Sequence, residues 1–181
     1  GSSWQPVSKN VYSYNISGNL ETDVYHTWDT LTLAFVAASQ KTYYYDLMNR
    51  MINETDQNLT GSPVYTYQWA YTYADSNVLT IAYNVWDGSG WANNNLVTNA
   101  YDSSDNRTSQ LFQYWDAMTS AYVNSSLDLY SNFTSNHMPQ TDIRQWWDNT
   151  GSGSWVNQMR YMHSYNSFGQ LVNTVGESWS L

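Results

Sequence analysis

Tyrosines recur at alternate positions along this chain. Tyr12-Ser13-Tyr14, Tyr43-Tyr44-Tyr45 and Tyr71-Thr72-Tyr73 set the pattern, which is that of strands whose successive side chains point to opposite faces of a sheet. Gly and Asn follow in Ser17-Gly18-Asn19 and Phe168-Gly169-Gln170, where positive φ turns one strand back into the next. In the second strand Leu20, Thr22, Val24, His26 and Trp28 share one face, as Leu171, Asn173, Val175, Glu177 and Trp179 do later in the chain. The segments Asp87-Gly88-Ser89-Gly90-Trp91 and Gly151-Ser152-Gly153-Ser154-Trp155 make the return turn. No useful window carries apolar residues at the spacing of a helix face. The Ala-rich stretch Leu31 to Gln40 is ambiguous, and it reads as strand because Phe35 keeps the spacing seen elsewhere. The pattern predicts an all-β antiparallel meander of about twelve strands.

The pattern repeats. Trp28-Asp29, Trp86-Asp87, Trp115-Asp116, Trp147-Asp148 and Trp179 are separated by 58, 29, 32 and 32 residues. The first gap is double, and Asn58-Leu59-Thr60-Gly61 stands where a degenerate copy belongs. Trp4 to Tyr14, Phe35 to Tyr45, Trp91 to Tyr101 and Trp155 to Tyr165 are each 10 apart, while Tyr14 to Trp28, Tyr101 to Trp115 and Tyr165 to Trp179 are each 14 apart. Together with Tyr73, these residues are the expected packing elements of six hairpin units in one repeat domain, about 1–29, 30–60, 61–87, 88–116, 117–148 and 149–181. A residue needed in every unit is more often a packing element than a ligand contact.

Composition changes this picture in two ways. The 17 Tyr and 10 Trp, rather than aliphatics, must supply the buried area, and each keeps a polar handle suited to a half-dry sheet. Only 6 Lys and Arg oppose 15 Asp and Glu, for a net charge of -9, so the scattered cations form no patch for nucleic acid. Cys is absent, which excludes a disulfide framework. The longest apolar runs, such as Leu33 to Ala38, are far shorter than a membrane span.

Candidate chemistry is sparse. His26, His137 and His163 sit in different units without ligand-spaced partners, and Asp102-Ser103-Ser104-Asp105-Asn106 reads as a turn-forming cluster rather than a Ca²⁺ loop. Glu21 with Asp23, and Glu54 with Asp56, share strand faces and could be imagined as a glycosidase pair, but a solvated face produces the same spacing. No nucleophile, base and orienting group come together, so no enzyme and no cofactor or metal is expected. Sequons at Asn15, Asn53, Asn58, Asn106, Asn124 and Asn132 permit N-glycosylation.

Tyr12-x-Tyr14-Asn15-x-x-Gly18-Asn19-Leu20, Tyr43-x-Tyr45-Asp46-x-x-Asn49 and Tyr165-Asn166-x-x-Gly169-Gln170-Leu171 resemble the tyrosine-aspartate (YD, or RHS) repeats of bacterial secreted and cell-surface proteins. The Trp-Asp-Gly-Ser-x-Trp turn is similar to tandem repeats in long extracellular proteins of Bacteroidetes-type bacteria. The resemblance implies an extended, curling β-sheet outside a cell, and no particular chemistry. Both ends of the chain fall at the same phase of the repeat, since Gly1-Ser2-Ser3-Trp4 matches Gly88-Ser89-Gly90-Trp91. The terminal strands, near Val7 to Tyr14 and Leu171 to Trp179, are therefore expected to be unpaired edges. They can close a barrel or pair between copies. A solenoid-like or curled sheet is favoured over a barrel, because aliphatics are too few to fill a lumen. The expected function is an extracellular structural subunit that polymerises head to tail with itself. A carbohydrate-binding module or adhesin, with glycans as partners, is the alternative.

Overall fold

The computed structural model describes residues 4–60, 66–151 and 153–180. Gly1 to Ser3, Gly61 and Ser152, which belong to the repeat pattern, lie outside the described residues. Twelve strands follow one another: β1 Ser8–Tyr14, β2 Leu20–Asp29, β3 Ala34–Tyr45, β4 Met51–Asn58, β5 Thr66–Ala74, β6 Asn77–Trp86, β7 Trp91–Tyr101, β8 Arg107–Asp116, β9 Ala121–Phe133, β10 Pro139–Asp148, β11 Ser154–Tyr165 and β12 Leu171–Ser178. They form one sheet in sequence order, with β1 and β12 at its two edges. The meander is antiparallel and open, as the alternation predicts.

Strand β3 starts at Ala34, so Leu31, Thr32 and Leu33 of the ambiguous stretch belong to the preceding turn. There Leu33 takes a positive φ of 53°. The degenerate copy is also in register. The Leu59 N–H donates to the Ala38 carbonyl as the Trp28 N–H does to Val7 and the Trp179 N–H to Gln158. Leu59 therefore occupies the tryptophan position of its unit, which accounts for the double gap.

Two compact units divide the chain, one of residues 1–72 and 82–94, the other of residues 73–81 and 95–181. In neither is a hydrophobic side chain buried among the described residues. The three buried side chains are polar, and all belong to the second unit: Asn99, Asn106 and Asp128. Burying polar groups is tolerable only when they are hydrogen-bonded. Asn99 donates Nδ2 to the Val78 carbonyl at 2.9 Å and accepts from Gln110 Nε2 at 3.1 Å. Asp128 accepts both arms of Arg144, at 2.7 and 2.8 Å. In the first unit Lys41 lies opposite both Asp23 and Asp56, and its ammonium donates to Glu54 at 3.0 Å. The imagined pair of Glu54 and Asp56 is thus a cation-bridged cross-strand cluster, while Asp23 accepts from Asn10 Nδ2 at 2.8 Å.

Bulges recur with the repeat. An extra residue interrupts four hairpins on their second strands, at Glu21, Ile52, Thr108 and Val172, opposite Tyr14, Tyr45, Tyr101 and Tyr165. A second set, Ala38, Ser125 and Gln158, lies where one hairpin meets the next. Such bulges re-aim side chains without ending the pairing.

At the Trp ends, Gly153 is locked by geometry. Its φ is +76°, and a Cβ there would lie 2.3 Å from Trp147 Cζ2. Gly153→Ala is expected to destabilise the protein by about 1–3 kcal/mol through backbone strain alone, with additional loss from displacement of the Trp147 ring. Thermal unfolding together with near-UV circular dichroism of the Trp bands measures both effects.

Candidate functional site

Three recurrent interactions join the repeats, and each begins with a local sequence rule. The first is the hairpin tip. Immediately after the Tyr position stands a residue with a short oxygen-bearing side chain: Asn15, Asp46, Asp102, Thr134 and Asn166. Its side-chain oxygen accepts from the N–H two residues on and from the N–H four residues on. These donors are Ser17 and Asn19, Met48 and Arg50, Ser104 and Asn106, Asn136 and Met138, and Phe168 and Gln170, at 2.8 to 3.3 Å. The fourth residue of each loop, Gly18, Asn49, Asp105, His137 or Gly169, takes a φ of 61° to 81°. These loops are Asx and Ser/Thr turns built to one plan. The third hairpin alone differs among the described tips, having a two-residue turn at Asp75-Ser76 between β5 and β6.

The second interaction staples neighbouring hairpins. Tyr45 donates its hydroxyl to the Leu20 carbonyl at 2.9 Å, Tyr101 to Val78 at 3.0 Å and Tyr165 to Pro139 at 2.9 Å. In each case the acceptor is the first or second residue of the second strand of the preceding hairpin. A net contribution of about 0.5–1.5 kcal/mol is typical of such a bond. Beside the staples runs a polar ladder from loop to loop. Asn19 Nδ2 donates to Asn49 Oδ1 at 3.0 Å, Asn77 Nδ2 to Asp105 Oδ1 at 2.8 Å, and Asn106 Oδ1 lies 2.7 Å from His137 Nδ1.

The third interaction closes the Trp ends. Trp28 meets Phe35, Trp86 meets Trp91, Trp115 meets Tyr122 and Trp147 meets Trp155, edge to face, with ring centroids 5.0 to 5.5 Å apart. Each pair adds about 0.5–1.5 kcal/mol beyond its area. The following Asp caps the turn: Asp29 accepts from Leu31 N and Thr32 Oγ1, Asp87 from Ser89 and Gly90, Asp116 from Met118 N and Thr119 Oγ1, and Asp148 from Thr150 N.

The structure thus brings together Trp28 with Phe35, Trp86 with Trp91, and Trp147 with Trp155, and sets Tyr45, Tyr101 and Tyr165 in staples. Tyr73 is half-buried near the end of β5. Trp4 and Trp179 stand apart, 101% and 58% exposed, and Tyr14 on the edge strand is 63% exposed. Sequence reasoning missed Tyr122 and the Phe133-Thr134 tip. Spacing carried both signals, since Tyr122 follows Trp115 by 7 residues as Phe35 follows Trp28, and Phe133 lies 32 residues from both Tyr101 and Tyr165.

Among the sequons, the Asn15 and Asn58 oxygens cap turns, Asn53 is half-buried, and Asn124 accepts from Gln113. Asn106 is buried and donates Nδ2 to Asp102, which leaves that nitrogen committed. Asn58 and Asn132 are exposed, though Asn132 Nδ2 donates to Thr141. His26 contacts the Val24 carbonyl, and His163 lies between Thr174 and Asp142. Among the described residues no three His, Cys, Asp or Glu groups converge as metal ligands. Among the described residues no helix is long and apolar enough to cross a membrane.

Hydrogen bonding holds the capping carboxyls below the ordinary aspartate value of 3.8. The leading cause is the Thr32 hydroxyl for Asp29, the Arg50 N–H for Asp46, the Ser89 N–H for Asp87, the Asn106 amide for Asp102, the Met118 N–H for Asp116 and the Thr150 N–H for Asp148. A carboxyl whose pKa falls on folding stabilises the fold fully above its unfolded pKa, and that stabilisation is lost as pH drops through the folded value. The melting temperature is therefore expected to fall as pH drops below about 4, with these caps contributing no change between pH 7 and pH 5. Asp46→Asn with Asp102→Asn places at these tips the residue already used at Asn15 and Asn166. The double variant is expected to stay folded at pH 7 and to shift the acid transition to lower pH, as circular dichroism melts across pH will show.

No known family model matches the chain, and no curated protein is similar to it in sequence. Solved structures resemble it distantly. A DUF3836 family protein from Bacteroides vulgatus is 14% identical with a TM-score of 0.41, over 63% of this chain and 98% of that one. A protein of unknown function from Bacteroides fragilis is 10% identical with a TM-score of 0.40, over 87% and 92%. The structure named TcdB2-TccC3-TEV is 9% identical with a TM-score of 0.49, over 90% of this chain and 7% of that chain.

Proposed function

We propose that this chain is an extracellular structural protein whose copies join head to tail by pairing β12 of one with β1 of the next. The observation that carries the proposal is that one register satisfies the edge backbone pairing, a tyrosine staple and an aromatic apposition at once. The Trp28 N–H bonds Val7 and the Trp179 N–H bonds Gln158, so hydrogen-bonded pairs alternate inward from those points. Ser8, Asn10 and Tyr12 then turn their backbone groups outward from β1, as Thr174, Gly176 and Ser178 do from β12.

Aligning Leu171 with Leu20 and Tyr14 with Tyr45 transfers the β2–β3 register, in which Thr22 faces Thr42 and Asp23 faces Lys41. Asn173 then faces Val11, and Thr174 faces Asn10. Outward backbone meets outward backbone. The same alignment sets Trp179 opposite Trp4, as Trp28 stands opposite Phe35, and brings the Tyr14 hydroxyl to the Leu171 carbonyl. A weakly charged surface rich in Asn, Ser and Thr supports a role outside the cell, as does the likeness of the Tyr-Asn/Asp tips to YD repeats. Capped tips and paired aromatics suit a scaffold better than a catalyst.

The chain contains no Cys, so engineered disulfides report the contact cleanly. Val11→Cys with Asn173→Cys is expected to give an intermolecular ladder on a non-reducing gel, while Val11→Cys with Val175→Cys, two residues out of register, gives little. Filaments are expected by electron microscopy, and Trp4→Ala with Trp179→Ala shortens them. A monomer at every concentration by light scattering, with no cross-linked ladder, overturns the proposal.

A further inference from the structure

The staples follow a rule that one hairpin breaks. Phe133 pairs with Pro139 as Tyr101 pairs with Arg107 and Tyr165 with Leu171, so it holds the staple position of the fifth hairpin, where Asn132 at a φ of 56° stands in place of the one-residue shift of the other two. A phenyl ring has no hydroxyl to offer the carbonyl of Arg107, the residue equivalent to Leu20, Val78 and Pro139. At this point a cavity of about 280 Å³ opens, lined by Tyr101, Arg107, Tyr130, Phe133, His137 and Pro139. Its size is at the small end of ligand pockets, suited to a single ring.

The lining groups define what that ring would carry. Lys41, Arg50, Arg144 and Arg160 are ion-paired with carboxylates. Arg107 has no such ion pair among the described residues. Its guanidinium lies 4.9 Å from the Tyr130 ring centroid, with one nitrogen 3.4 Å from the Tyr130 hydroxyl. A guanidinium stacked on an aromatic ring keeps in-plane N–H donors for a carboxylate. His137 is held by its Nδ1, 2.7 Å from Asn106 Oδ1. The orientation of that amide is fixed because Asn106 Nδ2 donates to the Asp102 carboxylate at 2.9 Å. The oxygen must therefore accept from His137 Nδ1–H, which leaves Nε2 of the neutral ring as an acceptor. The cavity is thus lined by a cation, by a histidine whose Nε2 can accept from a hydroxyl, and by aromatic rings, and Phe133 brings no hydroxyl to the Arg107 carbonyl.

We propose that this notch in the fifth hairpin binds an acidic sugar, a pyranose ring bearing a carboxylate. The carboxylate meets Arg107, the C–H face of the ring stacks on the aromatic wall, and ring hydroxyls donate to His137 and to the carbonyl that Phe133 leaves unstapled. A neutral sugar matches the walls but not the cation. An acidic peptide matches the cation but not the walls.

Calorimetric titration of the full chain with trigalacturonate and with its fully methyl-esterified counterpart tests this, because the two probes share their rings and differ in charge. The acid is expected to bind at least tenfold more tightly than the ester, and Arg107→Gln is expected to erase that preference. Phe133→Tyr is expected to raise the melting temperature by restoring the staple and to weaken binding at least tenfold by filling the notch. Equal affinity for acid and ester, binding of neither, or full binding by Phe133→Tyr overturns the proposal. If Phe133→Tyr does not fold, the Arg107→Gln comparison decides alone. Binding is read on the monomer as well as on any polymer, so it stands or falls separately from edge pairing.

Discussion

A sheet whose described residues bury no hydrophobic side chain has to hold its register by other means, and here the turns do it. At five tips one side-chain oxygen accepts two backbone N–H groups. The loop is thereby pinned from inside, before any neighbour is considered. The backbone groups that a loose loop would leave to water are satisfied locally. At four of these five tips a one-residue bulge follows opposite the Tyr, and at three of them the phenol bonds the hairpin before it. Local turn chemistry therefore precedes the staples, and the staples set the spacing of hairpins. The aromatic pairs at the Trp ends act on the opposite tips in the same way. Such an assembly is a chain of nearest-neighbour contacts, in which each hairpin is stabilised by the one beside it.

Much of this was legible in the sequence because the design is periodic. The alternation at Tyr12 to Tyr14 and Tyr43 to Tyr45 identified strands, and the constant spacings of 10 and 14 residues identified the hairpin unit. Even the degenerate copy at Leu59 fell where the double gap required it. What stayed hidden depends on three-dimensional register. A bulge such as Ile52 or Thr108 adds one residue to a unit whose length already varies, so spacing does not reveal it. The staples from Tyr45 to Leu20 and from Tyr165 to Pro139 cross from one hairpin to another, and only the paired strands bring them together. Leu31 to Leu33 read as strand because Phe35 keeps the repeat spacing, but the cap from Asp29 and the positive φ at Leu33 fold them into the turn.

The exceptions to the repeat are as informative as the rule. Phe133 removes one hydroxyl from a series of phenols and leaves a cavity beside Arg107. Leu59 removes one indole and still keeps its backbone bond to Ala38. Backbone periodicity thus survives the loss of a side chain, which frees single positions to take on recognition without dismantling the sheet. The buried polar residues Asn99 and Asp128 fit the same view, because their hydrogen bonds to Val78, Gln110 and Arg144 tie three strand pairs together where an ordinary domain would place leucine.

The central claim is that capped tips, rather than a hydrophobic core, organise the sheet. Residue-resolved hydrogen exchange measures it directly. The account predicts that the amides of Asn19, Arg50, Asn106 and Gln170, each bonded to a tip side chain, exchange as slowly as the strand amides beside them. Replacing Asn15 or Asn166 with Ala should release the amides of that tip and then those of the adjoining strands. Tip amides that exchange at the rate of an unstructured chain while the strands stay protected would contradict it.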